Sequence, residues 1–193
     1  HFEVAEISLK FTENLESELN RIKTEAEAAI FGGKTIIVLS DYMDDAKQLT
    51  MPVLLAASTI HQYLVRIGLR TKASIIVNSA EVREVHHFVA LIGFGVDAIH
   101  PYLAYATIHE AIENGHLSVP FEKAIQKFRK GAADGVVKVM SKMGISTVQS
   151  YRGAQVFEAV GISKEVIDEY FTGTASQIDG IDLQTIGEEA KRR

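Results

Sequence analysis

The stretch TIIVLSD at residues 35–41 decides the fold of this chain. Its first five residues form a continuous run of β-branched and apolar side chains, which is too short for a helix and predicts a buried strand. Strands covered on both faces belong to parallel sheets, so the run also predicts the class of sheet. Ser40 and Asp41 follow at the carboxyl end of this strand.

Helices and strands alternate on both sides of this stretch. Before it, Leu15, Leu19, Ile22 and Ala26 recur at helical spacing, and Gly32 ends the pattern. The predicted elements are helices at 14–30, 53–67, 81–92 and 104–114, and strands at 35–39, 73–77 and 96–100. This alternation predicts right-handed crossovers and an α/β fold with a mainly parallel sheet, either open or forming a partial barrel.

The last third of the chain predicts extra helices at the carboxyl-terminal end of the fold. Residues 121–143 have a helical pattern that Gly131 and Gly135 interrupt, which predicts two helices or one bent helix. The further predicted elements are a short strand at 145–149, helices at 154–160, 164–171 and 183–191, and a loop at 172–180. We expect one α/β domain over residues 1–175 and an exit segment over residues 176–193.

The composition argues against several classes of function. The net charge of -5 lacks the basic excess that nucleic-acid binding requires. The sequence has no cysteine, so it supplies no disulfide, thiolate nucleophile or cysteine-ligated cluster, and this fits a reducing, cytoplasmic setting. No apolar run approaches the roughly 20 residues of a membrane helix. We therefore expect neither nucleic acid nor membrane as a partner.

The motifs of nucleotide-binding and nucleophilic enzymes are missing as well. No G-x-G-x-x-G or Walker motif follows a predicted strand, and GFG at residues 93–95 has neither the spacing nor the helix start of a dinucleotide site. No G-x-S-x-G elbow marks a serine as activated. The sequence therefore predicts no catalytic residue and no cofactor-binding residue.

Polar side chains stand at the carboxyl ends of the three predicted strands, where parallel α/β proteins place ligands. They are Ser40, Asp41, Asn78, Ser79, His100 and Tyr102. We expect them to share one rim of the sheet. The alternative, which position alone favours, is that Asp41 and Ser79 cap a helix or a loop.

The predicted helix at 81–92 carries two adjacent histidines. Arg83 and His87 fall opposite its apolar arc and are expected to face solvent as part of a candidate contact surface. His86 lies at the edge of that arc, and we expect it to be partly buried and bonded to a carbonyl or carboxylate. Adjacent histidines do not chelate from one helix face, so no metal site is predicted.

The stretch MSKMGISTVQSYRGAQVFEA at residues 140–159 combines small and polar residues between predicted helices. Lys142 and Arg152 flank its polar core, and one interpretation places an anionic group between them, near a helix start at Ala154. The other is that Tyr151, Arg152 and Gln155 tie this loop to a neighbouring domain. We prefer the second because no general acid or base accompanies the basic pair.

Several long strings give the chain a family resemblance. They are GGKTIIVLSD at 32–41, PVLLAASTIHQYLVRIGLRT at 52–71, EVREVHHFVALIGFGVDAIHPYLA at 81–104, the stretch at 140–159, and EYFTGTASQIDGI at 169–181. With these strings the chain resembles the large chain of the glutamate synthases, over the latter two-thirds of their central domain. The resemblance covers nearly the whole chain. It departs from the usual pattern at residues 40–52, where an arginine near Asp41 is missing.

The resemblance implies an enzyme that takes the amide nitrogen of glutamine, passes ammonia through an internal tunnel, and reductively aminates 2-oxoglutarate at an FMN and iron–sulfur centre. It places the glutaminase cysteine and the FMN barrel with its cluster cysteines in other domains. It therefore implies a connecting domain without catalytic residues. The implied partners are the glutaminase and FMN domains of the same chain and a small electron-donor subunit.

Two other hypotheses stay open at this stage. One is an independent α/β domain that binds or converts a small molecule at the strand-end rim of Asp41, Ser79 and His100. The other is a pure scaffold whose exposed apolar patches reflect missing neighbours. The connecting-domain hypothesis further predicts that Arg152→Ala impairs glutamine-dependent synthesis in the full enzyme and leaves this part folded.

Overall fold

The computed structural model describes residues 2–12, 14–42 and 49–192. The strands are β1 Val4–Ser8, β2 Lys10–Phe11, β3 Ile36–Ser40, β4 Leu49–Thr50, β5 Ser74–Asn78, β6 Ala98–His100, β7 Glu158–Ile162 and β8 Ala175–Ile181. The helices are α1 Leu15–Phe31, α2 Val53–Arg66, α3 Val85–Gly93, α4 Tyr102–Glu113, α5 Phe121–Lys142, α6 Val148–Tyr151, α7 Lys164–Tyr170 and α8 Leu183–Lys191. A 3-10 turn at Arg70–Lys72 precedes β5.

Four parallel strands form the main sheet in the order β1-β3-β5-β6. The side chains of Ile7, Leu39, Val77 and Ile99 stand side by side across it. Each of these strands pairs with the next one along the chain, so the crossovers through α1, α2 and α3 all step in one direction. Right-handed crossovers of that kind place the helices on one face. The predicted α/β class with a mainly parallel sheet is confirmed.

The core lies on the helix-covered face of the sheet. Ile37, Leu39, Ile75 and Val77 are wholly buried there, in one cluster with the apolar stripes of α1 and α2. On the opposite face, Val4 is 49% exposed, and Ile36, Val38 and Ile76 are half-buried. The prediction that β3 is covered on both faces is therefore wrong within this chain, because a β-branched run looks the same whether or not its own chain covers the second face.

Helix α1 forms where the sequence predicts it. The Asn14 side chain accepts a hydrogen bond from the Ser17 backbone N–H at 3.2 Å, which caps the first turn. Leu15, Leu19, Ile22 and Ala26 are buried against the sheet and α2. The helix ends at Gly32, and Gly33 turns the chain toward β3 with a φ of 82° that suits glycine.

A second unit packs on the outside of α1 and α2. Strands β7 and β8 form a two-stranded parallel sheet joined through α7, and α7 contacts α2 while α8 contacts α1. Val166, Ile167, Tyr170 and Ala190 join the same core cluster as the main sheet. The helices α1 and α2 thus lie between the main sheet and the carboxyl-terminal unit.

The sequence patterns failed most between residues 145 and 181. The predicted strand at 145–149 is replaced by the short helix α6, the predicted helix at 154–160 by an extended segment leading into β7, and the predicted loop at 172–180 by β8. A Cβ on Gly180 would lie 2.1 Å from the Gly161 carbonyl oxygen, so β7 and β8 meet through glycines. Every residue of β8 is exposed. Because neither face of β8 is buried, its sequence lacks the alternation of apolar and polar residues that marks a half-buried strand.

Three smaller differences concern strands that were not predicted, the start of α3 and the continuity of α5. Strand β1 and the antiparallel pair β2 and β4 carry too little pattern to be predicted. Helix α3 begins at Val85 rather than at residue 81, with Glu84 as its N-cap, so Ser79 does not cap it. Helix α5 is continuous through both glycines, because Gly135 makes room for Val85 of α3 rather than breaking the helix. The loop expected to lack an arginine contact falls largely on residues 43–48, which lie outside the described residues.

Candidate functional site

The structure brings the six polar residues of the strand-end rim together. Asp41 is 2% exposed, and its carboxylate accepts hydrogen bonds from the Ser79 hydroxyl at 2.5 Å and from the Ala80 backbone N–H at 3.0 Å. Ser79, wholly buried, in turn accepts from the Glu81 backbone N–H at 3.0 Å. The pair therefore joins the end of β3 to the turn that follows β5.

Tyr102 closes one side of the rim. Its hydroxyl hydrogen-bonds to Asp41, and burial together with the charge of Asp41 raises the pKa of Tyr102 to about 12. Its ring stands edge-on to Tyr42 with 5.4 Å between centroids. The phenol therefore stays protonated at physiological pH and serves as a donor to the buried carboxylate.

A second set of bonds completes the rim. Asn78 donates from its amide to the Ser40 hydroxyl at 3.0 Å, and its Oδ1 lies 2.8 Å from Nδ1 of His100. The exposed His100 ring also packs edge-on against Tyr105. Most rim side chains thus bond to each other. His100 is exposed, Asn78 and Tyr102 are half-buried, and the other three are buried, so the rim holds three strand ends in register.

The candidate contact residues Arg83, just before α3, and His87, in its first turn, lie apart from the rim network. Arg83 is exposed, and Nδ1 of His87 accepts from the Arg83 and Glu84 backbone N–H groups at 3.1 and 3.4 Å. His86 is exposed with its ring 6.2 Å from that of Phe157, so the prediction that it is partly buried is wrong. Among the described residues, no group of three His, Asp or Glu side chains could hold a metal ion.

A second cluster lies at the other end of the main sheet. Arg152 Nη1 lies 2.6 Å from Oδ1 of Asp97, and Arg70 Nη2 lies 3.0 Å from Oδ2 of the same carboxylate. Asp97 Oδ2 also accepts from the Ile75 backbone N–H at 2.8 Å. Asp97 precedes β6 and Ile75 lies in β5, so about 10 Å of strand separates Asp97 from His100 of the rim.

Arg70 extends this cluster to helix α2. Its guanidinium donates to the Gly95 and Ala73 carbonyls at 2.6 and 2.8 Å and to Nδ1 of His61 at 2.9 Å. Burial, followed by the charges of Arg70 and Arg152, lowers the pKa of His61 to about 4. His61 is therefore neutral at pH 7, and because Nδ1 accepts from Arg70, its proton is on Nε2.

These contacts revise the interpretation of the loop at 140–159. The Arg152 guanidinium forms an ion pair with the carboxylate of Asp97 in the same chain. Lys142 is exposed at the end of α5. Arg152 therefore already has an anionic partner within the chain, and an anion site between Lys142 and Arg152 stays a prediction. The predicted helix start at Ala154 is absent as well, since that segment is extended.

Tyr151 and Gln155 border a cavity beside this cluster. Tyr151 is wholly buried, its ring meets Phe157 edge-on, and its hydroxyl has no hydrogen-bond partner among the described residues. Gln155 has a φ of 55°, and its side chain lies against Gly173. The cavity has a volume of about 130 Å³, and its polar lining includes His61, Gln62, Tyr151, Gln155, Thr172 and Thr174.

Sequence reasoning missed His61, Arg70 and Asp97. Arg70 and Asp97 lie 27 positions apart on different elements, and no local pattern pairs them. One signal was available in the glycines after α3. Gly95 has a φ of 100°, and a Cβ there would lie 2.1 Å from Nδ1 of His61, so the glycine marks a close approach as well as a helix end.

The sequence of this chain is similar to that of a known protein family. A sequence model of the family described as "Glutamate synthase central domain" matches residues 1–163. The chain is 60% identical over 187 residues to the glutamate synthase [NADPH] large chain of Bacillus subtilis, covering 97% of this chain and 12% of that protein. It is 41% identical over 174 residues to the glutamate synthase [NADH] of Schizosaccharomyces pombe, covering 89% of this chain and 8% of that one. The chain thus spans about an eighth or less of the length of these relatives.

A solved structure of similar fold is a flavocytochrome b2 variant with sulfite bound. The TM-score is 0.51 at 16% sequence identity, over 78% of this chain and 34% of that one. Likeness at that identity concerns the fold alone. Within the part of the chain that the structure describes, no helix is both long and apolar enough to cross a membrane.

Proposed function

Because the chain belongs to the glutamate synthase central-domain family, we propose that it is a connecting domain within the large chain of a glutamate synthase and carries no catalytic residue of its own. The parent enzyme makes glutamate from glutamine and 2-oxoglutarate. The 60% identity to the Bacillus subtilis large chain over 97% of this chain is the observation that carries the proposal.

The cofactors of the parent enzyme fall outside this chain in our proposal. An iron–sulfur cluster is held by cysteine thiolates, and these 193 residues include no cysteine. The cluster is therefore assigned to the rest of the parent chain, and we assign FMN there as well because the family resemblance places both in the same domain. The names of the relatives include NADPH and NADH, which supports an electron donor that differs between members of the family. The small electron-donor subunit stays a prediction. The cytoplasmic location and the boundary between residues 175 and 176 stay predictions.

An exposed strand pair supports the connecting role. Parallel sheets are normally covered on both faces, yet Val160 of β7 is 65% exposed and Ile178 of β8 is 58% exposed. A two-stranded sheet on its own is only marginally stable in water. The matched region makes up 12% of the Bacillus subtilis protein and 8% of the Schizosaccharomyces pombe protein. A large part of the parent chain is therefore available to cover this β7–β8 face. We assign the β7–β8 face to contact with the rest of that chain.

The strand-end rim gives less support to an independent enzyme. Asp41, the carboxylate of the rim, is 2% exposed and is bonded to Ser79, Ala80 and Tyr102. A general acid or base needs access to its substrate. The hydrogen bonds of the rim residues instead hold the ends of β3, β5 and β6 together.

The purified chain tests the non-catalytic part of this proposal. It is incubated with glutamine to measure ammonia release, and with FMN followed by gel filtration to measure retained flavin. The proposal expects ammonia no higher than in a blank and no flavin in the protein fraction. Ammonia release or stoichiometric flavin that survives further purification would overturn it in favour of the independent-enzyme hypothesis.

A further inference from the structure

The cavity beside Tyr151 is a second place where the chain could hold a molecule. We propose that this cavity binds a small carboxylate through Tyr151, His61 and Gln155. Its volume of about 130 Å³ is several times the space that one water needs. This inference concerns a ligand site within the chain and does not depend on the connecting role proposed above.

The polar groups at the cavity are suited to an acceptor ligand. The Tyr151 hydroxyl is wholly buried and without a partner among the described residues, and such a group costs free energy unless a ligand or water bonds to it. Neutral His61 has its Nδ1 occupied by Arg70, so it offers an N–H donor at Nε2. Two donors from different elements therefore border one cavity.

The charge balance near the cavity favours an anion. Two guanidinium groups, Arg70 and Arg152, share the carboxylate of Asp97, which is the one acidic side chain paired with either of them among the described residues. The group therefore has a net charge of about +1 in a setting where water screens it poorly. None of the described residues that line the cavity is acidic. A bound carboxylate would balance the excess positive charge.

The walls of the cavity limit the size of the ligand. Phe94 and Phe157 stack with 5.8 Å between ring centroids, and both line the cavity, so an apolar wall faces the polar groups. A Cβ on Gly93 would lie 2.7 Å from the Phe157 ring, which shows how closely α3 approaches that wall. A carboxylate with a short alkyl group fits this combination of surfaces.

Gln155 has an unusual backbone conformation at this cavity. It is the one non-glycine residue with a positive φ among the described residues, a conformation that favours glycine or asparagine. Such strain is concentrated at ligand sites, where other interactions hold the residue in place. We assign the Gln155 amide to the ligand as a third hydrogen-bonding group.

Acetate is the probe for this site, and acetamide is its neutral counterpart of the same shape. Both are titrated into the 193-residue chain at pH 7.5 and constant ionic strength, with chemical shifts of backbone and side-chain amides as the readout. We expect saturable shifts at Gln155 and its neighbours with acetate, with a Kd between about 0.1 and 10 mM, and at least tenfold weaker binding of acetamide. Equal binding of acetamide, or the absence of saturable shifts with acetate, would overturn the proposal.

A tyrosine pair provides the matched test. Tyr151→Phe removes a hydroxyl that has no protein partner, so the variant should fold, and it should bind acetate about tenfold more weakly. Tyr105→Phe in α4 makes the same chemical change away from the cavity and should leave the acetate Kd unchanged. If both variants bind acetate as the unaltered chain does, the Tyr151 hydroxyl does not contact the ligand and the proposal fails.

Discussion

Arg152 and Asp97 form an ion pair with 2.6 Å between Nη1 and Oδ1, and each side chain is 21% exposed. The pair joins the loop after α6 to the amino end of β6. Removing one member of a largely buried pair leaves an uncompensated charge, which costs more than the pair itself contributes. Arg152→Ala is therefore expected to lower the free energy of unfolding. That the variant still folds stays a prediction, which circular dichroism of the purified variant checks.

Asp97→Asn should lower the free energy of unfolding by about 2–4 kcal/mol, because it leaves Arg70 and Arg152 facing each other without a carboxylate. Urea denaturation at pH 7 measures the change. The matched control is Asp134→Asn, which removes an exposed pair with Lys130 and should cost at most about 0.5 kcal/mol. Equal effects of the two substitutions would show that the Asp97 cluster contributes no more than a surface ion pair.

His61 makes stability depend on pH below neutrality. Its pKa is lowered to about 4 by burial and by Arg70 and Arg152, with Asp97 acting in the opposite direction. The unfolded chain, where the pKa of histidine is near 6.5, takes up the proton first, so the free energy of unfolding falls as the pH falls from about 6.5 toward 4. Over that pH range, the titration of His61 should lower the free energy of unfolding by about 2 kcal/mol, a figure reduced because the side chain is only partly buried.

His61→Asn tests this dependence, since the asparagine oxygen replaces Nδ1 as the acceptor for Arg70 without titrating. Denaturation midpoints are measured for both proteins at several values between pH 7.5 and 4. The loss of stability on acidification should be smaller in the variant. Parallel pH profiles would contradict the assignment of a neutral, buried His61.

Two glycines of α5 should respond in opposite directions to the same substitution. Gly131 has no atom within 4 Å of the position of a new Cβ, so Gly131→Ala should stabilise the helix by about 0.5–1 kcal/mol. At Gly135 the new Cβ would lie 2.3 Å from Val85 Cγ2, so Gly135→Ala should destabilise by about 1–3 kcal/mol. Thermal unfolding of both variants provides the comparison, and a gain in stability at Gly135 would mean that α3 and α5 pack less closely than described.

Strands β3 and β5 of the main sheet could be predicted from the sequence because each is a local, continuous apolar run, whereas β1 of the same sheet has no such run. Residues 35–39 and 73–77 each lie within one residue of the observed β3 and β5. The rim residues followed from the same argument, since strand ends place Asp41, Ser79 and His100 at one edge. Their bonding to each other could not be predicted, because it depends on side-chain geometry across three strands.

The second cluster and the carboxyl-terminal unit could not be predicted, for different physical reasons. Arg70, Asp97 and Arg152 meet only after three elements have packed, and sequence distance conceals the pairing. Strand β8 is exposed along its whole length, so nothing in its composition distinguishes it from a loop. A two-stranded sheet as exposed as this one is expected to need a neighbouring domain to cover it, which is the arrangement that we propose.

The central claim is that this chain connects the other domains of a glutamate synthase large chain through the β7–β8 face. The most direct measurement compares glutamine-dependent with ammonia-dependent glutamate synthesis in the full large chain carrying Val160→Lys and Ile178→Lys. Both residues are exposed within this chain, at 65% and 58%, so it should still fold, and Val137→Lys on α5 controls for added charge at an equally exposed valine. We predict that the glutamine-dependent rate falls severalfold relative to the ammonia-dependent rate only in the β7–β8 variant. An unchanged ratio of the two rates in that variant would contradict the account.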